Sequence, residues 1–255
     1  MRLGGKVALI SGGASGMGQS EAIIFAKEGA KVVVADVLES EGRQVADGLG
    51  GAGRFVRLDV TSEAAWQEAM AATLSHFGKL DVLVNNAGIS GSFDPDTLST
   101  SAWDRLMDVN AKGVFLGMKH AIPLMKKAGG GAIVNISSGA GRRGLPYRIG
   151  YCSAKAGQVG MTYGMALELA PHNIRVNCVA PGAVEGDRID RVIAGQAEVR
   201  GIPVEAMRKA MIERSPLKRM VTADDIVDAT VFFTSDMARS ISGQVLAVNA
   251  GEPAG

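Results

Sequence analysis

Residues 6–18 read Lys-Val-Ala-Leu-Ile-Ser-Gly-Gly-Ala-Ser-Gly-Met-Gly, an apolar run that passes directly into a glycine-rich turn. A run that is apolar on both faces is typical of a strand in a parallel sheet covered on both sides. A helical pattern, Gly18–Glu28, follows at once. In such a turn Gly12 permits the tight bend, Gly16 lets the backbone approach a phosphate, and Gly18 lets the helix pack against the strand. The stretch therefore predicts a strand, a phosphate-binding turn and a helix N-terminus.

The rest of the chain repeats this rhythm of short apolar runs and longer helical patterns. The runs predicted as strands are Lys6–Ser11, Lys31–Asp36, Gly53–Asp59, Leu80–Asn85, Gly131–Ser137, Ile174–Val179 and Gln244–Val248. The other predicted helices are Glu39–Leu49, Ser62–Phe77, Ser101–Lys127, Gly150–Ala170 and Ala223–Thr234. This alternation predicts an α/β fold, with one doubly wound parallel sheet of about seven strands and helices on both faces.

One segment, Gly186–Pro216, departs from this rhythm. It follows the sixth predicted strand and is rich in charged residues. Ligands bind at the carboxyl edge of a parallel sheet, and an insertion there lies over the binding site. We therefore expect this segment to be a mobile lid. Since no Pro- or Ser-rich linker occurs, residues 1–255 are expected to form a single domain.

Composition argues against several classes of function. The chain has 27 Lys+Arg and 26 Asp+Glu, a net charge of +1, which predicts no nucleic-acid partner. No apolar run approaches the roughly 20 residues of a membrane span, and the run near the start is too short for a signal peptide. We therefore expect a cytoplasmic protein without a membrane partner. Two cysteines and three scattered histidines predict neither a disulfide framework nor a metal site.

Acidic and amide side chains close the next three predicted strands. Asp36 lies about 20 residues past the glycine turn, where a carboxylate can accept hydrogen bonds from the ribose hydroxyls of an adenosine. It would repel a 2′-phosphate, and positions 15 and 37 carry no cation to neutralise one. This pattern predicts NAD rather than NADP. Asp59 and residues 85–88 can line the same slot, although they would also serve as ordinary turn residues.

Tyr151 and Lys155 are four residues apart at the start of a predicted helix and share one face. The pKa of a free tyrosine is about 10, and a nearby ammonium lowers it, which makes the phenol usable in proton transfer. Ser138, just after the fifth predicted strand, can reach the same space. Asn110 is a polar residue in the middle of a helical pattern, which indicates either a solvent-facing position or a functional amide.

Together these elements resemble the short-chain dehydrogenase/reductase family over essentially the whole chain. The matching pieces, in order, are Ser11-Gly12-x₃-Gly16-x-Gly18, Asp36, Asp59, Asn85-Asn86-Ala87-Gly88, Asn110, Ser137-Ser138, Tyr151-x₃-Lys155 and Pro181-Gly182. The resemblance implies a Rossmann-type fold that binds NAD. With the pattern above, the expected cofactor contacts are Gly12, Ser15, Gly16, Met17, Gly18, Asp36, Val37, Asp59, Val60, Asn86, Ala87, Gly88, Tyr151, Lys155, Pro181, Gly182 and Val184.

The resemblance also implies a catalytic tetrad of Asn110, Ser138, Tyr151 and Lys155. Tyr151 would remove the alcohol proton while hydride leaves for the nicotinamide, and Ser138 would hydrogen-bond the substrate oxygen. Lys155 would bind the nicotinamide ribose and lower the tyrosine pKa, and Asn110 would hold a water of the proton relay. The family further suggests a homotetramer, in which the apolar segments Ser101–Lys127 and Gly150–Ala170 pair across two-fold axes.

Two positions depart from the family pattern. The Thr that usually follows Pro181-Gly182 and bonds the nicotinamide carboxamide is Gly186 here, which puts that contact in doubt. Backbone atoms of Val184 can still form a contact with the carboxamide. The usual Asp-Gly-Gly near the C-terminus is Asn249-Ala250-Gly251, a change that we expect to affect subunit packing rather than chemistry.

The candidate substrate contacts are Ser138, Arg142, Arg148 and Arg188, to which Arg143 and Arg191 are neighbours. Guanidinium groups suit a carboxylate, sulfonate or phosphate. Alternatively, these arginines form solvated pairs with Glu185, Asp187 and Asp190, which contribute little. Both interpretations stay open from sequence.

The sequence therefore predicts an NAD-dependent oxidoreductase that acts on a secondary, cyclic or sugar-like alcohol, with a small-molecule alcohol or ketone as its partner. One alternative is a 3-ketoacyl-thioester reductase, although such enzymes usually prefer NADPH. Another is a non-catalytic NAD-binding sensor, which would predict a broken tetrad. A nucleotide-sugar epimerase fits less well because the chain is short for that class.

Overall fold

Seven parallel strands form one sheet in the computed structural model, which describes residues 1–253. The strands are β1 (Val7–Ser11), β2 (Lys31–Asp36), β3 (Gly53–Arg57), β4 (Val82–Asn85), β5 (Gly131–Ile136), β6 (Ile174–Pro181) and β7 (Val245–Val248). Their order is β3-β2-β1-β4-β5-β6-β7. The first three strands therefore extend the sheet to one side of β1, and from β4 onward the strands extend it to the other side. The predicted fold class is confirmed, and such a reversal of strand order opens a ligand crevice at the carboxyl ends of the strands.

Nine α-helices pack on the sheet or above its carboxyl edge in the described part of the chain. They are α1 (Gly16–Lys27), α2 (Glu39–Gly48), α3 (Glu63–Phe77), α4 (Thr100–Met107), α5 (Gly113–Ala128), α6 (Ile149–Leu169), α7 (Asp187–Arg200), α8 (Val204–Arg214) and α9 (Ala223–Thr234). The insertion at 186–216, for which the sequence pattern assigned no elements, consists mainly of α7 and α8. We call residues 186–216 the lid.

The two faces of the sheet bury separate apolar layers, which explains why the strands are apolar on both sides. On β1, Ala8 and Ile10 pack with α1, α2 and α9, whereas Leu9 packs on the other face with α3, α5 and α6. Right-handed crossovers place helices on both faces in this way. The layers hold the strand ends, and therefore the crevice, in fixed positions.

The predicted helix Ser101–Lys127 is interrupted. A single π-helical segment, Asp108–Lys112, separates α4 from α5. π-Helical segments leave backbone groups out of the regular α-helical ladder and are frequent at functional sites. The sequence shows no glycine or proline at this place, so periodicity alone predicted a continuous helix.

Helix starts follow ordinary capping chemistry. Thr222 caps α9 in a full capping box with Asp225. For α3 the cap is Ser62, whose Oγ accepts from the Ala65 N–H at 3.2 Å. The hydroxyl of the preceding Thr61 donates to Asp59. Within residues 1–253, no helix is both long and apolar enough to cross a lipid bilayer.

Candidate active site

The glycine turn after β1 leaves open space at the first turn of α1. Gly12 has φ +69°, and a Cβ there would lie 2.8 Å from the Cα of Ala87. A Cβ at Gly18 would overlap the carbonyl oxygen of Gly12, so the absence of a side chain at Gly18 allows the helix to pack closely against the turn. Gly16 has φ +54° and nothing within 4 Å of its Cβ position. The turn thus presents bare backbone to the crevice, as a bound phosphate requires.

Residues from the end of β4 brace this turn. Asn86 Nδ2 donates to the carbonyl oxygens of Ser11 and Gly12, each at 3.1 Å. Ser11 Oγ accepts the N–H groups of Asn86 and Ala87 at 3.1 and 3.2 Å. Both side chains are buried. The predicted cofactor residue Asn86 therefore has a structural role, because it fixes the glycine turn across the β1–β4 switch point.

Asp36 is also part of this framework. Its Oδ2 accepts from the Ala14 N–H and its Oδ1 from the Leu38 N–H, both at 3.0 Å. The carboxylate is largely buried yet lines the crevice, and no Lys or Arg of the described residues forms an ion pair with it. A carboxylate has four lone-pair sites, so two bonds to the backbone leave capacity for ribose hydroxyls. The residues present fit an adenosine without a 2′-phosphate.

The crevice is a cleft of about 1390 Å³ that runs from the glycine turn to the lid. Most of the residues predicted from the sequence line it: Gly12, Ser15, Gly16, Met17, Asp36, Val37, Asp59, Val60, Asn86, Ala87, Gly88, Ser138, Arg148, Tyr151, Lys155, Pro181, Gly182, Val184 and Arg188. Gly18 and Asn110 lie behind the wall of the cleft. Arg142 is exposed and does not line it, because the chain after β5 turns its side chain to solvent, so the structure does not support its assignment as a substrate contact.

Tyr151 and Lys155 lie in the first turns of α6 and are both buried. Lys155 Nζ donates to the carbonyl oxygen of Ile136 at 2.7 Å and lies 5.9 Å from the centroid of the Tyr151 ring. Ser138 begins a short 3₁₀ turn, and its Oγ accepts from the Ala140 N–H at 3.1 Å. The strand end and the helix start thus bring a hydroxyl, a phenol and an ammonium to one wall of the cleft.

The electrostatics of this wall favour proton transfer by the phenol. Burial raises the pKa of Tyr151, but the positive charges of Arg188, Lys155 and Arg148 and a hydrogen bond with Ser138 outweigh it, so the pKa falls below its ordinary value. Burial is the main cause that lowers the pKa of Lys155 to about 8; the nearby Tyr151 opposes that shift and Arg188 adds to it. Lys155 therefore stays mostly protonated at neutral pH.

Asn110 lies in the π-helical segment and is fully buried. Its Nδ2 donates to the Leu106 carbonyl at 2.9 Å, and its Oδ1 accepts from the Ile89 N–H at 3.1 Å. The side chain thus ties the segment to the loop after β4. The Asn110 carbonyl accepts from Nε2 of Gln158, a fully buried residue of α6. Gln158 was not among the residues predicted from the sequence, although a glutamine three residues after Lys155 in an apolar helix was a usable signal.

A second group that the sequence analysis missed closes one end of the cleft. Glu252 of the C-terminal segment forms ion pairs with Arg143, which follows β5, and with Arg214, which ends α8. Arg143 also donates to the Pro253 carbonyl at 3.1 Å. The three charged residues all line the cleft. They are separated by up to 109 positions, so no sequence spacing could have grouped them.

The lid has a small core of its own. Ile193 and Ala197 of α7 pack with Met207 and Met211 of α8 and with Met220, which follows the lid. Flexible, unbranched methionine suits such a small and irregular core. On the cleft side α7 contributes Arg188, from its first turn. The lid therefore forms a separately packed unit above the reacting end.

Comparisons with known proteins agree with this geometry. The chain matches the family model described as "Enoyl-(Acyl carrier protein) reductase" over residues 12–252. It is 42% identical to trans-4-hydroxycyclohexanecarboxylate dehydrogenase of Sinomonas cyclohexanicum, over 100% of this chain and 95% of the relative. It is 40% identical to (+)-borneol dehydrogenase 2 of Salvia officinalis, over 98% of this chain and 90% of the relative. It is 38% identical to galactitol 2-dehydrogenase of Agrobacterium fabrum, over 98% of both chains.

These matches extend over the glycine turn, the carboxyl ends of the strands and the wall that carries Tyr151 and Lys155. The similarity thus covers both ends of the cleft rather than the sheet alone. The chain belongs to the short-chain dehydrogenase/reductase family, whose members are oxidoreductases acting on CH–OH groups.

Proposed function

We propose that this protein oxidises a secondary alcohol on a ring or a sugar-like chain, with NAD as the hydride acceptor. The observation that carries the proposal is the group of Ser138 with the buried Tyr151 and Lys155, at one end of a cleft whose other end is the glycine turn with Asp36. The substrates for which three relatives are named, a hydroxycyclohexanecarboxylate, borneol and galactitol, belong to this class.

The residues that would hold the dinucleotide are the glycine turn, Asp36 and the loop after β4, with Lys155 near the ribose of its nicotinamide half. Asp36 supports NAD over NADP because its carboxylate would face a 2′-phosphate with no cation at position 15 or 37. When bound, the nicotinamide supplies the acceptor for the hydride. Everything else in the reaction concerns the position of the alcohol and the fate of its proton.

In this proposal the alcohol O–H donates its proton to the phenolate oxygen of Tyr151 as the carbinol C–H bond breaks. The carbinol carbon then becomes a carbonyl carbon. Ser138 Oγ fixes the substrate oxygen, and Lys155 keeps the Tyr151 pKa low through its charge. Because the Tyr151 pKa is below its ordinary value, oxidation should accelerate as pH rises through a value lower than about 10.

A reductase of 3-ketoacyl thioesters is the second candidate. It is supported by 37% identity to the 3-oxoacyl-[acyl-carrier-protein] reductase FabG of Thermotoga maritima, over 98% of this chain and 99% of the relative. Asp36 argues against it where such an enzyme uses NADPH. One experiment distinguishes the two proposals. It compares the turnover in NAD-linked oxidation of trans-4-hydroxycyclohexanecarboxylate, borneol and galactitol with the turnover in NADPH-linked reduction of acetoacetyl thioesters. We expect turnover in the first set.

The decisive variant is Tyr151→Phe, which keeps the ring but removes the hydroxyl. We expect turnover to fall at least about 1000-fold, in line with the loss of a general base, while NAD binding changes little. Tyr163→Phe is the matched control, because Tyr163 is a half-exposed tyrosine of the same helix. Wild-type turnover by Tyr151→Phe, measured as NADH formation, would show that the proposed base is wrong.

We further propose a cytoplasmic homotetramer. Helices α5 and α6 expose Phe115, Tyr163 and Leu167, which is 80% accessible, and a symmetric assembly would cover these side chains. Both cysteines are free thiols, which suits a reducing compartment. Sedimentation analysis at micromolar concentration tests the assembly, where a monomer would contradict it. Cell fractionation tests the location.

A further inference from the structure

Arg148 occupies an unusual place for a charged side chain. It immediately precedes α6, three residues before Tyr151, and its guanidinium carbon lies 4.5 Å from the centroid of the Tyr151 ring. Only 5% of the residue is exposed, yet it lines the cleft. An arginine at the surface would need no explanation, but this one is held inside the site, against the residue proposed as the base.

No carboxylate compensates this charge in residues 1–253. Arg148 Nη2 donates to Ser90 Oγ at 3.3 Å, and its buried Nε has no hydrogen-bond partner. Removing a guanidinium from water without a counter-charge is strongly unfavourable, so buried cations are normally paired. Two other cleft arginines show the usual solution, since Arg143 and Arg214 share the carboxylate of Glu252.

A second cation faces the same space. Arg188 of α7 extends from the lid into the cleft, where its Nη2 lies 3.9 Å from the position that a Cβ on Gly88 would take. Arg188 forms no ion pair with a described residue. Burial lowers the pKa of Arg148, Tyr151 and Cys152 oppose that shift, and the charge of Arg188 adds to it, so the two guanidinium groups are close enough to repel each other. Two like charges without a counterion favour an anionic ligand.

We propose that Arg148 and Arg188 form a carboxylate-binding subsite beside Tyr151, so that the physiological alcohol is a hydroxy acid. This inference rests on the proposed function and specifies its substrate class. A planar carboxylate matches the fork of a guanidinium, and Arg148 and Arg188 bring two such groups to the same part of the cleft. The carbinol carbon would face Tyr151 while the carboxylate of the same molecule pairs with Arg148.

A competing interpretation is that Arg148 only lowers the Tyr151 pKa. In that case its loss would slow the oxidation of charged and neutral alcohols by the same factor. In a carboxylate subsite, its loss would raise KM for the hydroxy acid far more than it affects a neutral alcohol. The two interpretations therefore differ in a ratio that is measurable.

The first experiment measures binding without turnover. Cyclohexanecarboxylate has no hydroxyl group to oxidise, and cyclohexanecarboxamide is its neutral analogue. We expect calorimetric titration of the protein–NAD complex to show tighter binding of the carboxylate. Arg148→Met should weaken this binding roughly 100-fold, as expected for loss of one partner of a buried charged pair. Arg148→Lys should recover part of it, because the charge remains but the fork is lost.

Arg54→Met, at an exposed position of β3, is the control and should bind the carboxylate as the wild type does. Arg188→Met, in a partly exposed position, tests the subsite independently if Arg148→Met fails to fold. Equal binding of carboxylate and carboxamide by the wild type, or equal carboxylate binding by wild type, Arg148→Met and Arg188→Met, would overturn the subsite.

The second experiment compares NAD-linked oxidation of trans-4-hydroxycyclohexanecarboxylate and cyclohexanol. For Arg148→Met we expect the loss in kcat/KM to be at least about tenfold larger for the hydroxy acid, and to lie in KM. An equal loss for both alcohols would refute the subsite. Carboxylate binding that depends on Arg148, without oxidation of any alcohol by the wild type, would instead refute the proposed function and leave the subsite intact.

Discussion

Replacing Glu21 with Gln should stabilise the protein at alkaline pH and leave it nearly unchanged at acidic pH. Glu21 lies on α1, is fully buried, and packs against α9 beside the glycine turn. The oxygen of Thr230 lies 3.3 Å from its Oε1 and 3.0 Å from the Ile226 carbonyl. A hydroxyl has one hydrogen, so if Thr230 donates to Ile226, only a protonated Glu21 can donate to Thr230.

The magnitude follows from the pKa. Burial is the main cause that raises the pKa of Glu21 to about 8, against an ordinary 4.5, and the Thr230 hydrogen bond opposes the shift only weakly. The folded state thus holds a proton that the unfolded state releases above pH 4.5. The stabilisation that depends on the proton of Glu21 is complete below pH 4.5 and is lost progressively as the pH rises to about 8. Each pKa unit corresponds to about 1.4 kcal/mol, so the total loss approaches about 5 kcal/mol.

Gln has the shape of the protonated acid and cannot ionise. We therefore expect the free energy of unfolding of Glu21→Gln to lie within about 1 kcal/mol of the wild-type value at pH 4.5. At pH 9 we expect it to exceed the wild-type value by about 3–5 kcal/mol. Urea unfolding followed by circular dichroism, at one fixed protein concentration, measures both values.

The matched control is Glu68→Gln on α3, an exposed glutamate that should not change the pH dependence. If Glu21→Gln and the wild type lost stability in parallel between pH 4.5 and 9, Glu21 would not be the protonated group. A variant that is less stable than the wild type at pH 9 would contradict the reasoning altogether.

Replacing Asp36 with Ala should narrow the preference for NAD over NADP. The same replacement should lower the thermal stability, since Asp36 also accepts hydrogen bonds from the N–H groups of Ala14 and Leu38. Equal kcat/KM values for both cofactors in the wild type would refute the assignment of Asp36 to the cofactor site. Replacing Lys155 with Ala should lower both NAD affinity and turnover, and should move the rise of the pH–rate profile to higher pH because a cation near Tyr151 is lost. Amides of the lid, residues 186–216, should exchange hydrogen rapidly in the free protein and slowly in a ternary complex; protection that is equal in both states would argue against closure.

The fold was largely predictable because its signals are local. A strand buried on both faces must be apolar throughout, and all seven predicted runs coincide with strands to within two residues at each end. The glycine turn was equally readable, since the conformation of Gly12 and the contact at Gly18 each exclude a side chain. Asp36 and the Tyr151–Lys155 pair were found because they follow such elements at fixed distances.

What the sequence could not provide was the direction of side chains in irregular segments. Arg142 and Arg148 lie in one loop, and no pattern in the neighbouring residues distinguishes them. Arg142 nevertheless points to solvent, whereas Arg148 points into the cleft. The difference arises because Arg148 is fixed at the start of α6 whereas Arg142 ends a 3₁₀ turn. The π-helical segment was hidden for a similar reason: residues 108–112 contain no local breaker, and the bond that the Asn110 carbonyl accepts from Gln158 joins residues 48 positions apart.

The ends of the lid indicate how it could move. Backbone bonds between Glu185 and Val221 and between Val221 and Ala183, each 2.9 Å, fix its base on both sides. Its last helix, α8, is also tied to the C-terminal segment, through Arg214 and Glu252 and through the bond from Ser215 Oγ to the Ala250 carbonyl. Within residues 1–253, the ion pair of the first turn of α7 is with α8, between Asp190 and Arg208, and not with the C-terminal segment. Gly186, just before α7, has φ +123° and open space around it. Closure would therefore pivot at Gly186 and move α7 more than the end of α8, which is the motion that would carry Arg188 toward a carboxylate held by Arg148.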